Sequence, residues 1–323
     1  MIKFSNVTKK YGDKVAVDGL SFNVEEGEFF VLVGPSGCGK TTTLKMINRL
    51  IPLTSGYIYF KDKPLSDYNI NKMRFDIGYV LQQIALFPHM TVRDNIAQVP
   101  MMLGWDKTRI NDRVESLLEM VGLEGKQYMN RYPDELSGGQ KQRIGVCRAL
   151  AADPPVILMD EPFSALDPIS RESLQQDLLD LQAKIKKTII FVTHDMDEAM
   201  KLADRICILK NGAIEQIGTP DELVNQPASE FVKQFIGTKH SIHTAKDIMV
   251  PVELKEDINN YGSKSNEYMV VNINEPLDHL LKHLTNNEKI FVVNDEEQLV
   301  GYVTTSSMIE FLAQNGLNGG GKS

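Results

Sequence analysis

One stretch of the chain has the residue types and spacing of a phosphate-binding loop. It consists of Gly34, Pro35, Ser36, Gly37, Cys38, Gly39, Lys40, Thr41 and Thr42. An apolar run precedes it and apolar residues at helical spacing follow it, which is the strand–loop–helix context that the pattern G-x-x-x-x-G-K-[ST] requires. Backbone N–H groups and the helix N-terminus would surround phosphate oxygens, Lys40 would reach the β- and γ-phosphates, and Thr41 would bind Mg²⁺. The pattern predicts a site for a nucleoside triphosphate.

Polar residues follow two other apolar runs. Asp160 and Glu161 come after residues 156–159, and His194 comes shortly after residues 188–192. Ligands of open α/β sheets bind beyond the carboxyl ends of the strands, so these side chains are expected to converge with the loop on one site. There Asp160 would hold Mg²⁺ and Glu161 would orient or deprotonate the attacking water. The alternative is that Asp160 and Glu161 are ordinary solvated charges.

The same apolar runs predict the fold class. Strands that are apolar throughout are typical of a parallel sheet buried on both faces. Between the two runs, leucines at helical spacing predict a helix, so the order is strand, helix, strand. This order implies a right-handed crossover and an α/β fold.

Composition limits the classes of protein that fit. The chain has 323 residues, long enough for two domains, and a net charge of −8, which disfavours a nucleic-acid partner. Its three cysteines have no metal-ligand spacing, and Cys38 inside the loop is expected to be a small filler. With neither a membrane-spanning run nor a leader segment at the start, the chain is expected to be cytosolic and to reach a membrane only through a partner.

A second motif identifies the family that the chain resembles. It consists of Leu136, Ser137, Gly138, Gly139 and Gln140. It resembles the signature motif of ABC-transporter ATPases, and this motif is highly specific in combination with the phosphate loop. The resemblance implies a P-loop ABC ATPase domain over residues 1–237, with a parallel sheet core, an antiparallel β subdomain and a helical subdomain.

The resemblance also assigns roles to individual residues. Gln82, at the end of a predicted strand, is similar to the Q-loop glutamine that senses the γ-phosphate and Mg²⁺, with its neighbour Gln83 as the alternative. Residues 164–167, ending in Asp167, resemble the D-loop that crosses between subunits. His194 resembles the switch histidine that contacts the γ-phosphate. Tyr11 resembles the aromatic residue that stacks on adenine, or else is an exposed turn tyrosine.

The family mechanism that this implies needs two copies of the chain. Each ATP, with its Mg²⁺, would lie between the phosphate loop of one copy and Ser137, Gly138, Gly139 and Gln140 of the other. Closure on ATP and opening after hydrolysis would move integral membrane permease subunits. A complete system would also contain an extracellular or membrane-fused substrate-binding protein.

Two stretches resemble one branch of the family. Residues 48–56 and 82–91 are similar to the ATPases of importers for quaternary-ammonium osmoprotectants such as glycine betaine, carnitine and choline. The alternatives are an importer ATPase for another small solute, a soluble ABC protein of repair or translation, and a nucleotide-binding module without turnover. Phe87 and Met90 are apolar residues of the second stretch, and they either mark a docking site for the permease or pack beneath their loop.

The C-terminal part differs in character. Residues 244–313 resemble one CBS domain, where osmoprotectant ATPases usually carry two, and residues 314–323 are expected to form a flexible tail. The module would pair with a second copy and regulate the dimer, or be an inactive remnant. Residues 259–266 are expected to be a polar insertion. His279 and His283 lie one helical turn apart, either as metal ligands or as solvated residues, and no third ligand is evident.

Overall fold

The computed structural model of the chain describes residues 1–82, 85–164, 166–237, 244–251, 269–275, 277–284 and 287–314. Contacts within the chain divide it into two compact units, Met1–Phe235 and Ile236–Ser323. Three sequence predictions lie outside the described residues: the role of Gln83, the insertion at 259–266, and the tail beyond residue 314.

The strands of the first unit form two sheets. They are β1 (Ile2–Tyr11), β2 (Lys14–Val24), β3 (Phe29–Val33), β4 (Ser55–Phe60), β5 (Lys63–Pro64), β6 (Ile77–Val80), β7 (Val156–Asp160), β8 (Thr188–Thr193), β9 (Arg205–Lys210) and β10 (Ala213–Gly218). The helices of this unit connect and cover them. They are α1 (Lys40–Ile47), α2 (Ile70–Phe75), α3 (Val92–Met102), α4 (Lys107–Met120), α5 (Gly125–Tyr128), α6 (Gly138–Leu150), α7 (Pro168–Ile185), α8 (Met196–Leu202), α9 (Pro220–Asn225) and α10 (Glu230–Ile236).

The central sheet has the strand order β10-β9-β3-β8-β7-β6. Strands β3, β7 and β8 are buried at every residue, as expected of apolar strands covered on both faces. Neighbours from β9 to β6 pair in parallel, and β10 adds an antiparallel edge. The predicted parallel α/β core is therefore confirmed. Its register aligns the carboxyl ends of β3, β8 and β7, because Val33 pairs with Thr193 and Asp160 pairs with Val192.

The second sheet of this unit is antiparallel, with the order β2-β1-β4-β5. Along β1, buried residues such as Ile2 and Phe4 alternate with exposed ones, the pattern of a sheet with one face on the core. Phe4 stacks on Phe22 at 4.4 Å between ring centres, and Phe22 stacks on Phe30 of β3 at 5.3 Å. These stacked rings join the antiparallel sheet to the central one.

A helical region lies between β6 and β7 in the chain. The side chains of Val114, Leu117 and Leu118 form the buried face of α4, and Cys147 of α6 is also buried. Its Sγ atom donates to the backbone oxygen of Leu117 at 3.3 Å. Burial raises the pKa of this thiol to about 12, so Cys147 is a neutral packing residue.

The second unit contains a small mixed sheet with its own core. Its elements are α11 (Ala245–Ile248), β11 (Val250–Pro251), β12 (Val270–Asn272), α12 (Leu277–Leu284), β13 (Lys289–Val293), β14 (Leu299–Thr304) and α13 (Thr305–Gln314). The strand order is β11-β14-β13-β12, with β12 parallel to β13 and β13 antiparallel to β14. Its buried residues include Ile290, Val292, Val303 and Met308. Strands β13 and β14 form an antiparallel hairpin around residues 294–295.

Of the two candidate metal ligands in α12, the side chain of His279 lies outside the described part of the chain. No group of three or more histidine, cysteine, aspartate or glutamate side chains gathers as a metal site among the described residues. In the part of the chain that is described, every helix is too short or too polar to span a lipid bilayer.

Candidate active site

The phosphate loop follows β3 and leads into α1, as the sequence predicts. Two of its glycines are required by close backbone contacts. A Cβ atom on Gly34 would lie 2.2 Å from the backbone oxygen of Leu209, a distance that no side chain tolerates. Gly39, which precedes α1, has a φ of +106°, and a Cβ atom there would lie 2.7 Å from the backbone oxygen of Ala16. The loop is therefore held closely against the neighbouring backbone.

Lys40 lies inside this loop with only 5% of its surface exposed. Its ammonium group donates to the backbone oxygens of Gly34 at 2.7 Å and Pro35 at 3.1 Å. Cys38, whose Sγ atom is 3.9 Å from the same ammonium, is buried, and burial raises the pKa of its thiol. A neutral buried thiol agrees with its predicted role as a filler. The loop thus encloses one cation, whose ammonium group contacts backbone carbonyl oxygens of the loop itself.

The Asp160 carboxylate, at the end of β7, is 3% exposed and accepts two hydrogen bonds. The hydroxyl of Thr41 donates to one oxygen at 2.8 Å, and the hydroxyl of Tyr79 donates to the other at 3.4 Å. Burial raises the pKa of Asp160, and the hydrogen bond from Thr41 acts in the opposite direction. Burial, with the Asp160 charge beside it, also raises the pKa of Tyr79. Asp160 and Thr41, expected to share Mg²⁺, are in direct contact.

Glu161 is the point where three predicted residues meet. Its Oε2 atom accepts a hydrogen bond from Nε2 of Gln82 at 3.1 Å and lies 3.3 Å from Nδ1 of His194. The Glu161 backbone has a φ of +45°, unusual for a residue with a side chain, and its N–H donates to the oxygen of Val192. The Glu161 carboxylate thus contacts residues that follow β6 and β8, the two neighbours of β7.

Gln82 was expected at the last position of a strand, and this detail is wrong. Strand β6 ends at Val80, and Gln82 lies in the bend that follows, where its side chain is exposed. Its amide contacts Glu161, whereas the contacts of Asp160 come from Thr41 and Tyr79. The bend allows Gln82 to reach across to β7 from a neighbouring strand.

The signature residues form a capped helix start. Ser137 is the N-cap of α6: its hydroxyl accepts from the N–H of Gln140 at 3.3 Å, while the Gln140 side chain accepts from the Ser137 N–H at 2.9 Å. The Gln140 amide also donates to the hydroxyl of Tyr128 at 3.0 Å. Gly138 and Gly139 then form the first turn of α6. In the described part of the chain, no hydrogen bond or ion pair joins Ser137 or Gln140 to Lys40, Asp160 or Glu161.

Asp167 and Tyr11 lie apart from the Glu161 cluster. Asp167 is the N-cap of α7, and hydrogen bonds from Ser170 lower the pKa of its carboxyl group. Tyr11 ends β1 and is 49% exposed, with the ammonium of Lys9 4.8 Å from its ring centre. An exposed aromatic face is compatible with either of the two roles predicted for Tyr11.

Comparison with known proteins identifies the family of the chain. The sequence model of the ABC transporter family matches residues 17–164. The osmoprotectant import ATP-binding protein OsmV of Salmonella typhimurium is 55% identical over 247 residues, which is 75% of this chain and 65% of that protein. The choline transport ATP-binding protein OpuBA of Bacillus subtilis is 48% identical over 306 residues, or 94% of this chain and 78% of OpuBA. The chain belongs to the ABC transporter ATP-binding proteins.

The solved structures support the same family assignment for the first unit. A dimeric bacterial ABC transporter cassette, MJ0796, is 36% identical with a TM-score of 0.61, covering 68% of this chain and 99% of the cassette. The alignment with OsmV spans just under two thirds of the OsmV length. The predicted resemblance to osmoprotectant ATPases is confirmed, since several similar relatives carry names of that branch.

Two contacts of this ABC ATPase involve residues to which the sequence analysis assigned no role. The first is the contact of the Tyr79 hydroxyl with Asp160. Tyr128 supports Gln140 from α5, twelve residues away. Tyr79 pairs with Leu158, two residues before Asp160. Side chains two residues apart on a strand lie on the same face, so the parallel pairing of β6 with β7 could have indicated the first contact. The second depends on how α5 packs, for which the sequence carries no simple signal.

Proposed function

We propose that the chain is the ATP-hydrolysing subunit of a membrane importer for quaternary-ammonium compounds such as glycine betaine, carnitine or choline. The observation that carries the hydrolytic part is the meeting of Gln82, Glu161 and His194 within 3.3 Å, beside the contact of Asp160 with Thr41. These groups lie at the carboxyl ends of neighbouring parallel strands, where α/β proteins bind ligands. The arrangement supports hydrolysis of a bound nucleoside triphosphate.

We assign the following roles to the residues of the site. Lys40 holds the β- and γ-phosphates, and Glu161 orients the attacking water and accepts its proton. His194 contacts the γ-phosphate, and Gln82 reports its presence through Glu161. Tyr11 stacks on the adenine. The remaining loop residues, 34–39 and Thr42, bind phosphate through their backbone N–H groups and the start of α1.

The residues at Asp160 fit Mg²⁺. A buried carboxylate and a hydroxyl in contact with each other are hard oxygen donors of the kind that this ion prefers. Thr41 and Asp160 would hold it, with Gln82 as a further ligand. When bound, Mg²⁺ neutralises charge on the phosphate oxygens.

We infer that two copies of the chain complete each nucleotide site. Ser137, Gly138, Gly139 and Gln140 would bind the nucleotide held by the phosphate loop of the other copy, and Asp167 would lie at the contact between copies. Support comes from the capped start of α6, which presents N–H groups and glycines without a blocking side chain. The cassette MJ0796 has also been solved as a dimer bound to ADP and phosphate.

We infer that permease subunits dock in a groove beside Gln82, on the cytoplasmic face of the membrane. The groove has a volume of about 420 Å³ and is lined by residues that include Tyr79, Ala85, Phe87 and Arg148. Phe87 is 42% exposed, whereas Met90 is half-buried and its sulfur accepts from the amide of Gln98. Of the two apolar loop residues, Phe87 is therefore the one available to a partner.

Cross-linking tests this docking site. A cysteine at His89, an exposed position of the same loop, should cross-link to the permease in membranes, because the chain's three native cysteines are all buried. A cysteine at Glu26, exposed in the turn before β3, is the matched control and should not. Equal cross-linking from both positions would contradict the docking site. Failure to cross-link from single cysteines placed at each of positions 85–89 would contradict it as well.

The identity of the cargo rests on kinship. Relatives named for choline and for glycine betaine, carnitine and choline are 48% and 55% identical. A second candidate is another small cation, because the spermidine/putrescine import protein PotA of Mycoplasma mycoides is 47% identical over 242 residues. Co-purification of the permease, followed by identification of the ligand on its substrate-binding protein, tests the assignment. A polyamine on that protein would favour the second candidate.

We propose that the C-terminal unit, residues 244–313, is a single CBS-like module that pairs across the dimer and biases its opening. The described part of the module has a small core of its own. One module would supply about half of a two-module ligand cleft. Symmetric pairing with a second copy would complete it. A ligand or ion shifts such an equilibrium only by favouring one state.

Deletion of the chain from Thr244 onward tests this role. The truncated protein should keep its ATP hydrolysis, because every site residue belongs to the first unit. It should lose the dependence of transport on salt concentration, since the paired modules would no longer bias the dimer. ATPase and uptake assays across several salt concentrations measure both. An unchanged salt response would show that the module is an inactive remnant.

A further inference from the structure

Arg171 lies in the first turn of α7, just after the predicted D-loop. Its Nη2 atom donates to the backbone oxygen of Leu166 at 3.2 Å. The backbone N–H of Arg171 donates to the backbone oxygen of Asp167 at 2.9 Å. Leu166 is buried and directly precedes Asp167, the N-cap of α7. The guanidinium therefore fixes the backbone just before this cap.

The other side of the guanidinium faces the start of α8. Nη1 lies 4.0 Å from Oδ2 of Asp195, and Nε lies 4.0 Å from Oε1 of Glu198. Both are ion-pair distances that are too long for hydrogen bonds. The buried Nε atom has no hydrogen-bond partner among the described residues. A small movement of α8 toward α7 would satisfy it, which favours a closer approach of the two helices.

Glu198 connects this guanidinium to the residues on either side of His194. The Thr193 hydroxyl donates to Oε2 of Glu198 at 2.6 Å and accepts from the N–H of Asp195 at 3.0 Å. Asp195 also caps α8 by accepting from the N–H of Glu198. Thr193 and Asp195 thereby fix the backbone on both sides of His194.

We propose that Arg171 is a positioning residue that couples the segment Leu166–Asp167 to His194, through Glu198 and Thr193. The proposal rests on the proposed ATP hydrolysis and adds a residue that touches no nucleotide. A planar guanidinium suits this task, because its separate N–H groups reach the loop carbonyl and the two carboxylates from one rigid fork. Movement of residues 166–167, which are expected at the contact between copies, would then change the position of His194.

Arg205 provides a matched control for a merely structural ion pair. Its side chain is 32% exposed, against 33% for Arg171, and its Nη1 atom lies 3.1 Å from Glu28. Arg205 begins β9, whereas the catalytic groups lie at the opposite, carboxyl ends of the strands. Loss of this pair should affect folding stability without a specific effect on His194.

Steady-state kinetics test the proposal. Arg171→Met should lower kcat for ATP roughly 10-fold, the size of a lost charged hydrogen bond, with KM little changed because phosphate binding is untouched. Arg171→Lys should fall between Met and wild type, since a point charge cannot span the same partners. Arg205→Met should keep the wild-type kcat. The double variant Arg171→Met/Glu198→Gln should lose less than the product of the single losses.

Two outcomes would overturn the coupling. One is a wild-type kcat in Arg171→Met, and the other is a parallel loss of kcat and thermal stability in both arginine variants. The imidazole proton resonances of His194, assigned with His194→Gln, give a readout that needs no turnover. They should move in Arg171→Met and stay in place in Arg205→Met. If the wild-type protein has no ATPase activity, the proposed function fails, and an unmoved His194 resonance in Arg171→Met still overturns the coupling by itself.

Discussion

Replacement of Glu161 by glutamine is expected to abolish ATP turnover while ATP binding survives. The change keeps the side-chain shape and removes the oxygen that accepts the proton, and general-base assistance is worth roughly 10² to 10⁴ in rate. In wild type, the same carboxylate oxygen contacts both Gln82 and His194. The variant should also remain dimeric with ATP, because a bridging nucleotide is no longer removed.

Phosphate release and size-exclusion chromatography with ATP measure these two effects. Glu119→Gln, at an exposed position of α4, is the matched control and should behave as wild type in both. A Glu161→Gln protein that hydrolyses ATP near the wild-type rate would show that another group is the base.

Replacement of Lys40 by methionine is expected to act on the opposite step and weaken ATP binding. The ammonium is enclosed by the loop and contacts its carbonyl groups, so a neutral side chain of similar length leaves the loop without its buried cation. A hydrogen bond to a charged group contributes about 1.5–3 kcal/mol, so the Kd for ATP should rise by roughly 10- to 100-fold.

Titration with a fluorescent ATP analogue measures this change in Kd. Lys72→Met, at an exposed position of α2, is the control for removal of a lysine charge. Thermal unfolding of the variant separates weak binding from a misfolded loop. An unchanged Kd in a folded Lys40→Met protein would contradict the role given to the loop.

Local patterns in the sequence predict the central sheet and most of the candidate site. The run at β3, the glycine spacing and the helical period of α1 are all short-range signals, and the structure contains the corresponding elements. Convergence at the strand ends follows from the parallel order of the sheet. The sequence therefore predicts that Glu161 and His194 lie close together, as they do.

Contacts that depend on the packing of distant segments were not predictable. Gln82 and Glu161 are 79 residues apart, and their hydrogen bond depends on the bend after β6, which no local pattern specifies. The link from Arg171 to Glu198 depends on the relative placement of α7 and α8. In the second unit, the antiparallel pairing of the two-residue strand β11 with β14 has too short a signal to be recognised in the sequence.

ATP-dependent uptake by a reconstituted complex tests whether this chain energises a quaternary-ammonium importer. The chain would be purified together with its permease and reconstituted in proteoliposomes with the matching substrate-binding protein. Radiolabelled glycine betaine, carnitine or choline would then be supplied. We expect uptake of at least one of these compounds that requires Mg²⁺ and ATP and that is lost in Glu161→Gln but kept in Glu119→Gln. Uptake that continues in Glu161→Gln, or ATP hydrolysis by the wild-type complex without uptake of any of the three compounds, would contradict it.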